Sequence, residues 1–180
     1  ILSTNVVYNI IDNNLLSKVS VNISSRVLNY IENKTLKSLD ITGLEKCLTL
    51  LLNLIQEFSN ATRLIKKLLT LLGKLYKNLN NGKYLDTLLN IIFTFSKSEN
   101  EEQIRYSCMV GYDQILSNIT KDHLVKNLAL IMKIFIIFLN DEHPEIRSQT
   151  SRIFNNLFCE RLNIFGLHKN IIYSNEYVIA

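Results

Sequence analysis

Residues 128–158 read LALIMKIFIIFLNDEHPEIRSQTSRIFNNLF: an apolar run, a short polar joint and a second run with apolar residues on one face. Thr120 stands where its hydroxyl can cap a helix that reaches Leu139. Pro144 falls in the first turn of the next helix, where a missing N–H costs nothing and the fixed φ already suits a helix. That helix runs to about Phe158, with Ile146, Thr150, Phe154 and Leu157 on one side. Two helices joined so tightly fold back on each other.

The pattern recurs upstream at fixed spacing. Glu57, Glu99 and Asp141 stand 42 residues apart, as do Arg63, Arg105 and Arg147, so an acid precedes an arginine at three successive joints. The last two copies agree further. Ile104 matches Ile146, Cys108 matches Thr150, Tyr112 matches Phe154 and Ile115 matches Leu157. A period of this length marks a repeat architecture, because one helix pair cannot bury both its apolar faces and must stack on the next.

Local signals fill in the remaining helices. Thr42-Gly43-Leu44-Glu45 reads as a capping box opening a helix to about Phe58, and Asn60 caps one from about Ala61 to Leu79. The Asn80-Asn81-Gly82 turn separates that helix from one covering about Lys83 to Lys97. Asn100-Glu101-Glu102-Gln103 is a second capping box, opening a helix to about Asn118. The expected repeats are therefore 42–79, 83–118 and 121–162. The first is degenerate, with Thr62 where the others have Ile and apolar positions shifted by about one residue. Residues 1–41 read as degenerate helices, at about Asn5 to Ile11 and Leu15 to Ile31, with Asp12 and Lys18 a feeble in-phase pair. Periodicity lapses around Gly166, so 163–180 read as loop and a short helix. Beginning at Ile1 within an apolar-periodic stretch, the chain is expected to be one segment of a larger array.

At the joint Leu139-Asn140-Asp141-Glu142-His143-Pro144-Glu145-Ile146-Arg147 the chain resembles the HEAT/armadillo type of repeat protein. That repeat has an apolar first helix, a loop Asp, often a proline, then Val/Ile-Arg opening the second helix. The resemblance covers about Thr42 to Leu162 and implies an all-α, right-handed α-solenoid of stacked antiparallel helix pairs. It also implies a structural ladder, the loop acid of one repeat meeting the arginine of a neighbour, for Glu57, Arg63, Glu99, Arg105, Asp141 and Arg147. In helix texture alone the chain is similar to large HEAT-like proteins of the THADA type, which support tRNA ribose methylation by a partner methyltransferase.

Composition fits that reading. The 180 residues are 47% hydrophobic, enough for a sizeable core, and one proline and five glycines leave few helix breakers. The most apolar stretch, Leu124 to Leu139, is too short to span a bilayer and contains Lys126 and Lys133, and no secretory leader is recognised. Cys47, Cys108 and Cys159 are an odd number without a CxxC pair, which fits a reducing, cytoplasmic or nuclear setting and small apolar core roles.

The sharpest candidate surface is the helix from Ala61 to Leu79. Arg63, Lys66, Lys67, Lys74 and Lys77 fall within a stripe roughly 100° wide, with leucines filling the other side and no acid on the helix. Such lysines could contact RNA phosphates or an acidic protein. The net charge is only +4, however, and no aromatic residue interleaves them as a base-stacking platform. Acids at 99, 101, 102, 141, 142 and 145 read as first-turn residues favoured by the helix dipole. No Gly-rich phosphate loop, HExxH or GxSxG occurs, and His123, His143 and His168 are scattered. Asp141 and His143 lack a third metal ligand of suitable spacing. The expectation is a non-catalytic scaffold for protein partners, without cofactor, metal, small-molecule ligand or membrane span. The alternative is a regulatory subunit supporting tRNA modification, with the basic face on RNA.

Overall fold

The computed structural model describes residues 28, 29, 32, 41–58, 61–79 and 82–161. Among these, every regular element is helical: α1 (Ile41–Glu57), α2 (Thr62–Leu79), α3 (Leu85–Phe95), α4 (Glu102–Asn118), α5 (Lys121–Lys126), α6 (Leu128–Leu139) and α7 (Pro144–Phe154). A 3-10 turn, Gly82–Tyr84, precedes α3, and π-type turns, Asn155–Arg161, continue α7. The chain divides into two compact units, Ile1–Ile119 and Thr120–Ala180, at the joint between the second and third expected repeats.

In the first unit α2 is the centre. Its leucines recur at helical spacing over a wide arc, so Leu64, Ile65, Leu68, Leu69, Leu72 and Leu75 are fully buried and both flanks of the helix find partners. It packs on α1 across the short joint and, most extensively, on α4, while α3 packs on α4. Contacts along the α2–α4 seam climb both helices together: Thr62 meets Glu101, Lys66 meets Gln103, and Gly73 lies against Gly111 and Gln114. The two second helices therefore run parallel.

Two helix-interior glycines set their separation. A Cβ on Gly111 would lie 2.5 Å from the Leu69 carbonyl oxygen, and one on Gly73 would lie 2.7 Å from the Gly111 carbonyl oxygen. Glycine ordinarily weakens a helix by about 1 kcal/mol relative to alanine. Here its cost is offset by backbone packing that no side chain would permit.

Among the described residues the second unit is built on the pair α6 and α7, with the short α5 leading into it. Ile131, Ile134, Phe135 and Phe138 of α6 are fully buried, and α6 packs on α7. Phe135 meets Phe154 edge-on at 5.2 Å between ring centroids, and Phe158 joins them at 5.8 Å from Phe135 and 4.7 Å from Phe154. Such edge-on pairs add about 0.5–1.5 kcal/mol beyond the area they bury.

Several boundaries differ from the sequence reading. α1 already contains Ile41 and Thr42, so Thr42 lies in the helix rather than before it, and the Glu45 carboxylate faces Lys83 at 3.7 Å. Asn100 does not cap α4. Its side-chain amide donates back to the Thr94 and Lys97 carbonyls, closing the end of α3, and Glu101 takes the N-cap position without a side-chain capping bond, its carboxylate accepting from the Thr62 hydroxyl. Thr120 does cap, accepting from the His123 N–H at 3.3 Å. The helix it opens is broken at Asn127, where ψ is 10° and the amide donates to the His123 carbonyl at 2.9 Å, a local bond that competes with helix continuation. Pro144 opens α7 as expected. Asn60, Asn80 and Asn81, the helices expected before Leu28, and the tail 163–180 lie outside the described residues.

Candidate functional site

The basic stripe of α2 is not a row of free charges. Lys66, on the α4 side, donates to the Gln103 amide oxygen at 2.6 Å. On the other flank, Glu32 sits between Lys67, at 3.8 Å, and Lys74, with which it is directly hydrogen-bonded. Burial pulls the Lys67 ammonium below its ordinary range, the Glu32 carboxylate opposes that pull, and Lys74 and Arg63 add to it. Among the described residues Arg63 and Lys77, at opposite ends of the stripe, are the exposed members that carry no ion pair.

No local motif marks Glu32 as a partner, and the one signal in the sequence is a spacing. Glu32 and Lys74 are 42 residues apart, the period of the joints. Leu28, four residues before Glu32 in sequence, is fully buried.

The six joint residues also have defined places. Arg105 is almost wholly buried and donates from Nη1 to the Asn100 carbonyl at 2.7 Å. Arg147 donates from Nη1 to the Glu142 carbonyl at 2.8 Å and the Asp141 carbonyl at 2.6 Å. Asn100 and Glu142 are themselves one period apart, so the same bond recurs, each arginine closing its own joint onto backbone carbonyls. Asp141 is buried, and its carboxylate accepts the His143 backbone N–H at 2.8 Å. Glu57 and Glu99 are exposed, Glu99 lying 4.0 Å from Lys97. Arg63 is exposed, and residues 59 and 60 of the joint before it lie outside the described residues.

Three of the four matched interior pairs are buried at both positions, whereas Tyr112 is buried and Phe154 is half-buried. Ile104 and Ile146, Cys108 and Thr150, and Ile115 and Leu157 are all buried. Cys108 donates its S–H to the Ile92 carbonyl at 3.2 Å, whereas Thr150 donates to the Ile146 carbonyl of its own helix at 2.6 Å. Burial holds the Cys108 thiol and the Tyr112 phenol well above their ordinary values. Such a thiol is a poor nucleophile, because the thiolate is the reactive form.

Between α1 and α3 lies an open groove of about 500 Å³, with Leu52 and Ile55 on one wall and Thr87, Asn90, Ile91 and Thr94 on the other. Both walls are on first helices, the side of the unit away from the α2–α4 seam. Among the described residues no group of three or more His, Cys, Asp or Glu side chains is placed to hold a metal ion, and no helix is long and apolar enough to cross a membrane.

Among the described residues these features make an all-helical arrangement with a partly paired basic stripe on α2 and an open groove between α1 and α3. Comparison with known protein families, with curated proteins and with solved structures finds no match.

Proposed function

We infer that the chain is a non-catalytic helical-repeat scaffold that binds a protein partner. One observation carries this reading: α2 and α4, the second helices of successive pairs, lie parallel at an offset close to the 42-residue sequence period. Stacking of that kind extends a surface without changing its local form, which is the basis of partner binding by repeat arrays. The right-handed α-solenoid of HEAT/armadillo type belongs to the same proposal, with Arg105 and Arg147 each fixing its own joint through backbone carbonyls. The RNA reading has weaker support. Lys66, Lys67 and Lys74 already have carboxylate or amide partners, so an RNA backbone would have to displace them.

The test is photo-crosslinking in native extract from exposed positions on the second helices, Lys77 and Tyr106. A saturable protein adduct, competed away by unlabelled chain, is the expected result. If instead the adducts are RNA, weaken with salt and vanish when Lys66, Lys67, Lys74 and Lys77 are all changed to Glu, the RNA-regulator reading replaces the scaffold.

A further inference from the structure

The second unit leaves an apolar stripe uncovered. Val125 is 60% exposed, Leu128 40%, Ile136 56% and Leu139 36%. At 100° per residue Leu128, Ile136 and Leu139 fall within an arc of about 80°, clear of the row that α6 buries. A helix apolar on nearly every side is normally enclosed, and several large apolar side chains held together in water mark a contact surface.

The register of this stripe is not arbitrary. One period upstream of Met132 and Ile136 stand Asn90 and Thr94, which line the open groove of the first unit. The first helix of a pair thus presents the same positions as open surface in both units, and in the second they are apolar.

Resting on the scaffold reading, we propose that the α5–α6 stripe docks an amphipathic helix of a partner protein, one whose apolar anchors recur at helical spacing and whose edge carries carboxylates. The rim selects that occupant. Lys121, Lys126 and Lys133 are exposed on α5 and α6 against one exposed acid, Asp122, so a carboxylate edge meets net complementary charge. The size agrees. The twelve residues of α6 extend about 18 Å, the footprint of a few helical turns, and one such face falls short of the roughly 800 Å² per partner of a standard interface between globular proteins. A second copy packed antiparallel on the same stripe would also bring the Lys133 edges together.

The probe is a pair of fluorescein-labelled synthetic amphipathic helices with leucines at i, i+3, i+4 and i+7, one edged with Glu and one with Lys, titrated against the full chain by fluorescence polarisation. The Glu-edged peptide should bind at least about ten-fold more tightly than the Lys-edged one. Ile136→Asp should abolish binding, and the double change Lys126→Glu with Lys133→Glu should reverse the preference. The lysines are exposed, so the reversal is readable even if Ile136→Asp perturbs the helix, and circular dichroism monitors both variants. Equal binding of the two peptides, no binding, or a preference unmoved by the lysine reversal would overturn the proposal. So would concentration-dependent self-association in sedimentation that Ile136→Asp removes, since the stripe would then belong to a second copy. Any of these failures leaves the scaffold reading standing, because that is judged by adducts from Lys77 and Tyr106 on the other unit.

Discussion

Glu32 holds two lysines of the same helix, and its removal exposes what the stripe costs. Lys67 and Lys74 would be left repelling each other at the edge of a packed seam, with Lys67 only 17% exposed in its side chain. Glu32→Gln should lower stability by about 1 kcal/mol, a value at the upper end for exposed pairs because this one is mostly shielded from water. The shift in urea midpoint should shrink as salt is added. An unchanged midpoint at low salt would show that the carboxylate contributes nothing. The stripe itself was legible, since the spacing of five basic residues among leucines needs only helical geometry. Its partial pairing was not, because the partners Gln103 and Glu32 lie 37 and 42 residues away and no local pattern points to them. Cys47 gives a second prediction. Burial pushes its thiol from 9.0 to about 12. Between those values the unfolded chain loses the proton and the folded chain keeps it, so stability falls as pH rises through the window, by about 1 kcal/mol per pH unit. Cys108 acts in the same direction. Urea unfolding at pH 8 to 10.5 should show a shallower decline for Cys47→Ala than for the natural chain, and parallel declines would mean that Cys47 is not sequestered.

At the scale of helices, the parallel seam of α2 and α4 depends on two positions without side chains. Ala in place of Gly within a free helix gains about 1 kcal/mol. At 111 the added methyl would meet the Leu69 backbone, which cannot move aside as a flexible side chain could. Gly111→Ala should therefore destabilise, by about 1–3 kcal/mol net of the propensity gain, the usual range for overpacking. A thermal midpoint that rises instead would show that the helices do not approach this closely. Helix order was readable because leucine spacing, Thr120 and Pro144 are all short-range signals, but the number was not, since the one helix expected from Thr120 to Leu139 is two. The capping boxes misled for a physical reason. Asn100 and Glu101 have partners in other helices, and a bond to the Thr94 carbonyl or the Thr62 hydroxyl replaces the cap that the local motif predicts. Asn127 was invisible for the opposite reason, a single polar residue inside a strong apolar period whose own amide ends the helix locally.

For the whole chain the boundary at Ile119 is the feature with consequences. Ile119 is fully buried yet extended, with φ −69° and ψ 138°, so the run of α4 stops there and Thr120 must start a new helix with its own cap. Each side closes a core of its own: the leucine-rich seam around α2 before it, and the Phe135, Phe154 and Phe158 cluster after it. Stability in stacked helix pairs is approximately a sum of terms within pairs and between neighbours, so segments with separate cores open as separate units. Native-state hydrogen exchange under rising denaturant should then resolve two sets of amides, α1 to α4 converging on one opening free energy and α5 to α7 on another. The Phe135→Ala change should lower the second, by about 3–5 kcal/mol or to the limit of that unit's stability, and leave the first within about 0.5 kcal/mol. If every amide converges on one value, and Phe135→Ala moves α2 as much as α7, the chain is a single cooperative body. The break at Ile119 would then be only a turn within it.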